Sequence, residues 1–305
     1  MNKDVYSDIT ARIIEQLEQG IIPWRKPWTG INSGAISHAT GRPYSIINQL
    51  ILDRPGEYIT FGRCKQEGGR VNKGAKHKDI YLWKVKYLQQ KNEDGTPKID
   101  DEGQPVLAAI PYLRTFAVFH ISDCTGIIPR FSAEDLPKTA SPDETAEHIL
   151  TDYISRENIT LEKIESDEAY YSPARDLIHL PIIDQFSNTS EYYGTAFHEA
   201  AHSTGHRSRL NRFEGSGAAA AFGSTSYSKE ELVAEISSAS ILNTIGLETK
   251  SSFNNSAAYI QSWLNALKND KRMIVSAAAR AEKAVKLILN VQDTPGDNSE
   301  NELTC

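Results

Sequence analysis

The segment His198-Glu199-Ala200-Ala201-His202 constrains this chain more than any other stretch. On a helix, two histidines four residues apart share a face, one turn above the other. Both imidazoles can then reach one cation. Glu199, beside the first histidine, points to the open side of such a site, where it can hold a water activated by the cation and take its proton. Zinc lowers the pKa of such a water toward roughly 7, so a carboxylate can serve as the base at neutral pH. The surrounding "SEYYGTAFHEAAHSTG" predicts one helix, stopped by Gly205. The competing reading is a helix that carries two unrelated histidines.

A hydrolytic site of this kind needs a third ligand. Gly205 matches the pattern H-E-x-x-H-x-x-G-x-x-H, but Ser208 stands at its last histidine position and His206 falls two residues early. That pattern is therefore not the source. Downstream, "YSKEELVAEIS" places Glu231 and Glu235 one helical turn apart. This resembles the E-x-x-x-D/E helix of glutamate zincins. The resemblance implies that Glu231 ligates the metal and that Glu235 braces a histidine from behind. Alternatively Glu231 closes a capping box with Ser228, and Glu235 becomes the ligand. Tyr227 is a candidate for polarising a bound carbonyl, and the small-residue stretch 214–226 a candidate lid. His206 reads as a helix-end residue, and His179 as a packing residue on a strand. Cys64, Cys124 and Cys305 are odd in number and lack zinc-finger spacing, so they read as reduced thiols. Any metal must be held by His and carboxylates: Zn²⁺ by default, with Mn²⁺ or Co²⁺ also compatible. No acidic cluster suggests a two-metal nuclease.

The pattern of elements predicts an α+β fold. Val5, Ile9, Ile13, Ile14 and Leu17 have helical spacing over 4–19. "EYITF", "DIYLWKVKYLQ" and "VLAAIPYLRTFAVFHI" read as strands, and the polar "NEDGTPKIDDEGQP" as a hairpin loop between the last two. The first domain, 1–130, is thus expected to be α+β with an antiparallel sheet. Residues 131–142 read as a linker. Ser141 and Pro142 open a helix running to about 155. A mainly helical second domain is expected over 143–290, with "DLIHLP" as a short strand, and a disordered tail over 291–305.

Charge separates the two halves. Residues 1–130 hold 18 Lys and Arg against 14 Asp and Glu, leaving 15 against 26 in the remainder. In the basic half, Trp24 and Trp28 flank Arg25 and Lys26; Arg42, Tyr44 and Asn48 follow, then Lys73, Lys76 and Lys78. Aromatic rings interleaved with cations suit single-stranded nucleic acid, with bases stacked on rings and phosphates on cations. Taken singly, each residue favours a place in the core or on a solvated face; their combination with the charge asymmetry favours nucleic acid. No apolar run is long enough to span a membrane, and the N-terminus has no signal-peptide core, so a cytoplasmic protein is expected.

The order of these motifs is similar to a known family. "LEQGIIPWRKPW", "TGRPYSIIN", "GGRVNKGAK" and "FHISDCTGI" resemble the N-terminal domain of ArdC-type antirestriction proteins of conjugative plasmids, a domain also related to part of some plasmid primases. "YYSPARDLIHLP", "FHEAAHSTGHRSRL" and "YSKEELVAEI" resemble the zincin-like metallopeptidase domain that follows it. The resemblance covers residues 4–290. It implies a first domain that binds single-stranded DNA, a second that is a metal-dependent peptidase, possible action on a host protein, and protection of incoming plasmid DNA from restriction. The metal residues carry over onto His198, Glu199, His202 and Glu231; DNA contacts carry over only as a region. The rival expectation is a protector that merely coats single-stranded DNA and whose metal site is structural or vestigial.

Overall fold

The computed structural model describes residues 4–25, 34–92, 94–131, 142–213, 225–247 and 257–292. The chain starts with helix α1 (Val5–Glu18). Asp4 caps it by accepting from the Tyr6 N–H, and Ile9, Ile13 and Leu17 line its buried side. Four strands form the first sheet: β1 (Ala35–Ser37), β2 (Gly56–Thr60), β4 (Lys78–Gln89) and β5 (Leu107–His120), in the order β1-β2-β5-β4. Two short helices, α2 (Ile46–Ile51) and α3 (Phe61–Gln66), and a small pair, β3 (Arg70–Val71) with β6 (Cys124–Thr125), complete this half. The sheet is antiparallel except at its edge, where β1 joins β2 in parallel.

β4 and β5 are longer than the rest of the sheet needs. Their ladder runs from Lys78↔Val118 to Gln89↔Leu107, and bridges at Lys91↔Pro97 and Ile99↔Pro105 carry it further. The acidic segment 91–103 is therefore the tip of a β-arm. Beyond the core, Trp83, Val85 and Tyr87 remain exposed on it.

The second half opens with α4 (Pro142–Arg156) and a three-stranded sheet: β7 (Thr160–Ile164), β8 (Tyr170–Ser172) and β9 (Leu177–Pro181), in the order β7-β9-β8. Helices α5 (Thr189–Ser203), α6 (Thr225–Ile245), α7 (Ala257–Asn269) and α8 (Met273–Ile288) follow. The charge boundary is not a packing boundary. Ile9, Ile13 and Leu17 of α1, Trp24, and Ile46 and Leu50 of α2 belong to the same core as Phe197, Leu242, Leu267 and Ile274. A second cluster, with Tyr44, Tyr58, Ile80, Leu82 and Val118, lies against the first sheet. Among the described residues, no helix is long and apolar enough to cross a membrane.

This packing corrects three of the expected DNA contacts. Trp24 is 1% exposed and meets Trp263 edge to face at 6.2 Å. Tyr44 is buried against Tyr58. Asn48 is fully buried, and its amide donates to the Tyr81 carbonyl at 2.9 Å while accepting from the Tyr81 N–H at 2.8 Å. Burying a large aromatic ring is worth more than an exposed cation–ring contact. These side chains therefore join α1 and α2 to the core and leave no face for a base.

Candidate metal centre

Helix α5 carries the two histidines. Asn188 starts it by accepting from the Glu191 N–H at 2.9 Å. Tyr192, Ala196, Phe197, Ala200 and Ala201 bury the side facing the core. Helix α6 packs alongside, and the Ser238 hydroxyl donates to the Gly194 carbonyl at 2.7 Å. Because α6 starts at Thr225, Ser228 lies within the helix and is not its cap. The capping-box reading of Glu231 therefore fails, and its carboxylate is directed toward α5.

His198, His202 and Glu231 meet between the helices, and they are the group of potential metal ligands found among the described residues. The Nε2 atoms of His198 and His202 are 3.1 Å apart. Glu231 Oε2 lies 3.4 Å from His198 Nε2, and Oε1 lies 3.4 Å from His202 Nε2. Ligands at about 2.0–2.1 Å from a tetrahedral cation are about 3.3–3.4 Å from each other. The three donors are thus spaced to hold one divalent cation without rearrangement. Glu235 is outside this group; its charge acts on His198 from further along α6. Glu199 is buried next to the site.

Glu230 supports the site from outside the cluster. Glu230 Oε1 lies 3.6 Å from Nδ1 of His202, the nitrogen turned away from the cluster. Arg212 grips Glu230 with two N–H groups, at 2.5 and 3.1 Å, and donates to Thr204 Oγ1 at 2.6 Å and the Ala201 carbonyl at 2.8 Å. A carboxylate behind a ligating histidine fixes its tautomer and raises its basicity. Arg209 anchors the same loop: it donates to the Ser203 carbonyl at 2.7 Å and pairs with Asp176, which also accepts from the Tyr171 hydroxyl. Gly205 has a steric reason here. A Cβ at this position would stand 2.6 Å from the Phe213 ring, which closes the loop over the helix end. The clues in the sequence were the doublet Glu230-Glu231 and the arginines of "HRSRLNRF". Spacing alone did not show which glutamate faced which histidine.

We expect Arg212→Ala to lower metal affinity by about 10- to 100-fold, read by titration with a competing chelator. An unchanged affinity would mean that Glu230 does not orient His202.

The site's electrostatics favour cations. Burial pushes both imidazolium pKa values down, but the carboxylates outweigh it. His198 is raised, mainly by Glu231, and His202 is raised to about 10 by Glu230 and Glu231. Burial pushes Glu231 up, yet the two histidines draw it well below the usual carboxylate range. Protons and a divalent cation compete for the same nitrogens, and only neutral imidazole ligates. Because folding raises the His202 pKa, its proton is held through neutral pH and lost only as pH approaches about 10. Metal affinity should therefore rise with pH, about tenfold per unit for each proton displaced. Titrations at several pH values check this, and a flat profile would contradict it.

The other expected DNA residues are dispersed. Arg42 lies in the exposed turn after β1, and Lys73 and Lys76 in the exposed turn before β4. Lys26, Trp28 and the side chain of Arg25 lie outside the described residues, as do Ser141, residues 214–224 of the expected lid, the side chain of Tyr227, and the expected tail from 293 onward. His206 accepts from or donates to Ser208 at 2.7 Å, and His179 stacks on Tyr170; neither joins the cluster.

Comparison with known proteins identifies the family of both halves. The N-terminal domain of anti-restriction factor ArdC matches residues 3–119, and a zincin-like metallopeptidase family matches residues 147–280. The metal-free crystal structure of the antirestriction protein ArdC from the R388 plasmid is 33% identical, covers 95% of this chain and all of its own, and superposes with a TM-score of 0.70. Its Mn(II)-bound form gives 31% identity over 98% of this chain and 99% of its own, with a TM-score of 0.67. A DNA primase TraC of Escherichia coli is 35% identical over 302 residues, which is 95% of this chain but 27% of the primase. The chain thus spans about a quarter of that relative's length. With one solved ArdC matched over its whole length, and with both of its domain families present in the same order, the chain belongs to the ArdC-type antirestriction family.

Proposed function

We propose that this chain protects incoming plasmid DNA by engaging it as a single strand and hydrolysing a peptide bond in a host protein met there. The observation that carries the reading is the convergence of His198, His202 and Glu231 beside Glu199. The Mn(II)-bound ArdC structure supports a divalent metal, and the primase relative supports a DNA partner. Zn²⁺ is the proposed ion, with Mn²⁺ and Co²⁺ fitting the same two imidazoles and one carboxylate.

In this reading His198 Nε2, His202 Nε2 and a Glu231 oxygen hold the cation. When bound, it supplies Lewis acidity toward a carbonyl and makes water a stronger nucleophile. The Glu199 carboxylate takes a proton from the attacking water and passes it to the leaving amine. Glu230, braced by Arg212, keeps His202 in the tautomer whose Nε2 is free to ligate. β8 is an edge of its sheet beside α5, and its backbone can pair with an extended substrate.

The test is plasmid transfer into a restricting recipient, with the wild type and a His198→Ala/His202→Ala variant at matched expression. The expected result is loss of protection in the variant. Full protection would reject hydrolysis and leave coating of the strand as the mechanism.

A further inference from the structure

Outside the candidate metal-ligand cluster, a cleft lies where the β-arm passes helix α8. There, Tyr6 of α1, Trp83 of β4 and the residues Arg272, Ser276, Arg280 and Lys283 line a cleft of about 340 Å³. That volume falls in the range of about 300–1,000 Å³ that accepts small-ligand-sized groups. Among the described residues, no acidic side chain lines it. Arg272 precedes α8, and Ser276, Arg280 and Lys283 follow on the same side of the helix. At 1.5 Å per residue, this stripe is about 16 Å long. Arg280 and Lys283 are exposed, and neither has an ion-pair partner among the described residues. The guanidinium of Arg272 rests 5.2 Å from the centre of the Tyr6 ring.

The opposite wall is aromatic. Trp83 is 46% exposed at the mouth of the cleft, and Val85 and Tyr87 continue the same strand face outward at 49% and 64%. A contiguous row of exposed apolar side chains marks an interaction surface. Here they stand across from Arg280 and Lys283, cations without an ion-pair partner among the described residues. A partner must then be anionic along its length and offer flat apolar faces at intervals. Single-stranded DNA has both: phosphates for the stripe and unpaired bases for the rings. A duplex offers the phosphates but keeps its bases stacked away.

We infer that single-stranded DNA binds along this cleft, with phosphates on Arg272, Arg280 and Lys283 and a base stacked on Trp83. The inference rests on the strand-binding reading above and moves the contact from Trp24, Tyr44 and Asn48 to a groove shared by both halves of the chain. It follows that α8, not the N-terminal half alone, supplies the cations.

The experiment uses the full chain and a fluorescein-labelled oligothymidylate, followed by anisotropy over a salt series. Arg280→Glu/Lys283→Glu should weaken binding at least tenfold and flatten the slope of log affinity against log salt by about 1.4, for two lost phosphate contacts. Trp83→Ala should weaken it by about 5- to 100-fold. Trp83→Phe should keep affinity within a few-fold while removing most of the tryptophan quenching that the oligonucleotide causes. Unchanged metal uptake in each variant verifies folding. If the wild type binds and these variants match it, or if only Lys73→Glu/Lys76→Glu weakens binding, the cleft is overturned and strand binding stands. If the wild type does not bind, the strand-binding reading fails and the cleft assignment fails with it. Equal competition by duplex of the same length would overturn the stacking role of Trp83 and leave a general polyanion site.

Discussion

Glu199→Gln should lower metal-dependent peptide hydrolysis by about 10²- to 10⁴-fold, the usual cost of losing a positioned general base. This corresponds to about 3–5 kcal/mol of transition-state stabilisation. The substitution keeps the shape of the side chain and removes only its ability to take a proton. Glu199 is buried beside the cluster but is not one of the three converging donors. Metal affinity and melting temperature should therefore stay near wild type. That separation makes the variant informative. Hydrolysis and metal binding lost together would make Glu199 part of the metal's support rather than its base. Hydrolysis retained would exclude the proposed role.

Glu231→Ala should have the largest effect on metal binding. It removes one of the three donors proposed among the described residues, so the loss should exceed the 10- to 100-fold expected for Arg212→Ala. The readout is thermal. A cation at a hundredfold excess over its Kd stabilises the wild type by about 2.7 kcal/mol, and that gain should vanish in Glu231→Ala. Glu235→Ala is the paired comparison and should keep most of it, because Glu235 lies outside the converging group. The opposite ranking would make Glu235 the ligand. Since the carboxylate of Glu231 also compensates two raised histidines, its loss should lower the pKa of His202. Imidazole NMR titration can follow this shift.

The structure joins two halves that the charge pattern kept apart. The boundary near residue 130 follows composition, while the core follows shape. Trp24 packs on Trp263, and α1 and α2 pack on α7 and α8. Charge governs the surface and says little about which buried faces meet. For the same reason, aromatic residues next to cations in sequence could be read as a binding strip when their rings point inward. Nothing in the local sequence sets Trp83 apart, because it sits in an ordinary strand pattern. Only the length of the β-arm and the position of α8 give it exposure and cationic neighbours.

The sequence by itself determined what is set by local periodicity. The spacing of His198 and His202 specified a helix with two imidazoles on one face. The 3.6-residue pattern placed α1 and the α5–α8 helices, and two-residue alternation placed β2, β4 and β5, so the α+β class was legible. The motifs in their order made the family legible as well. Tertiary structure decided whatever depends on two segments meeting. It selected Glu231 to face the histidines and Glu230 to stand behind His202, because the start of α6 at Thr225 and its packing on α5 set the rotation of that helix. Adjacent residues on a helix point about 100° apart, so a small rotation exchanges their roles. No local pattern records that rotation, since it is fixed by the side chains of a different helix.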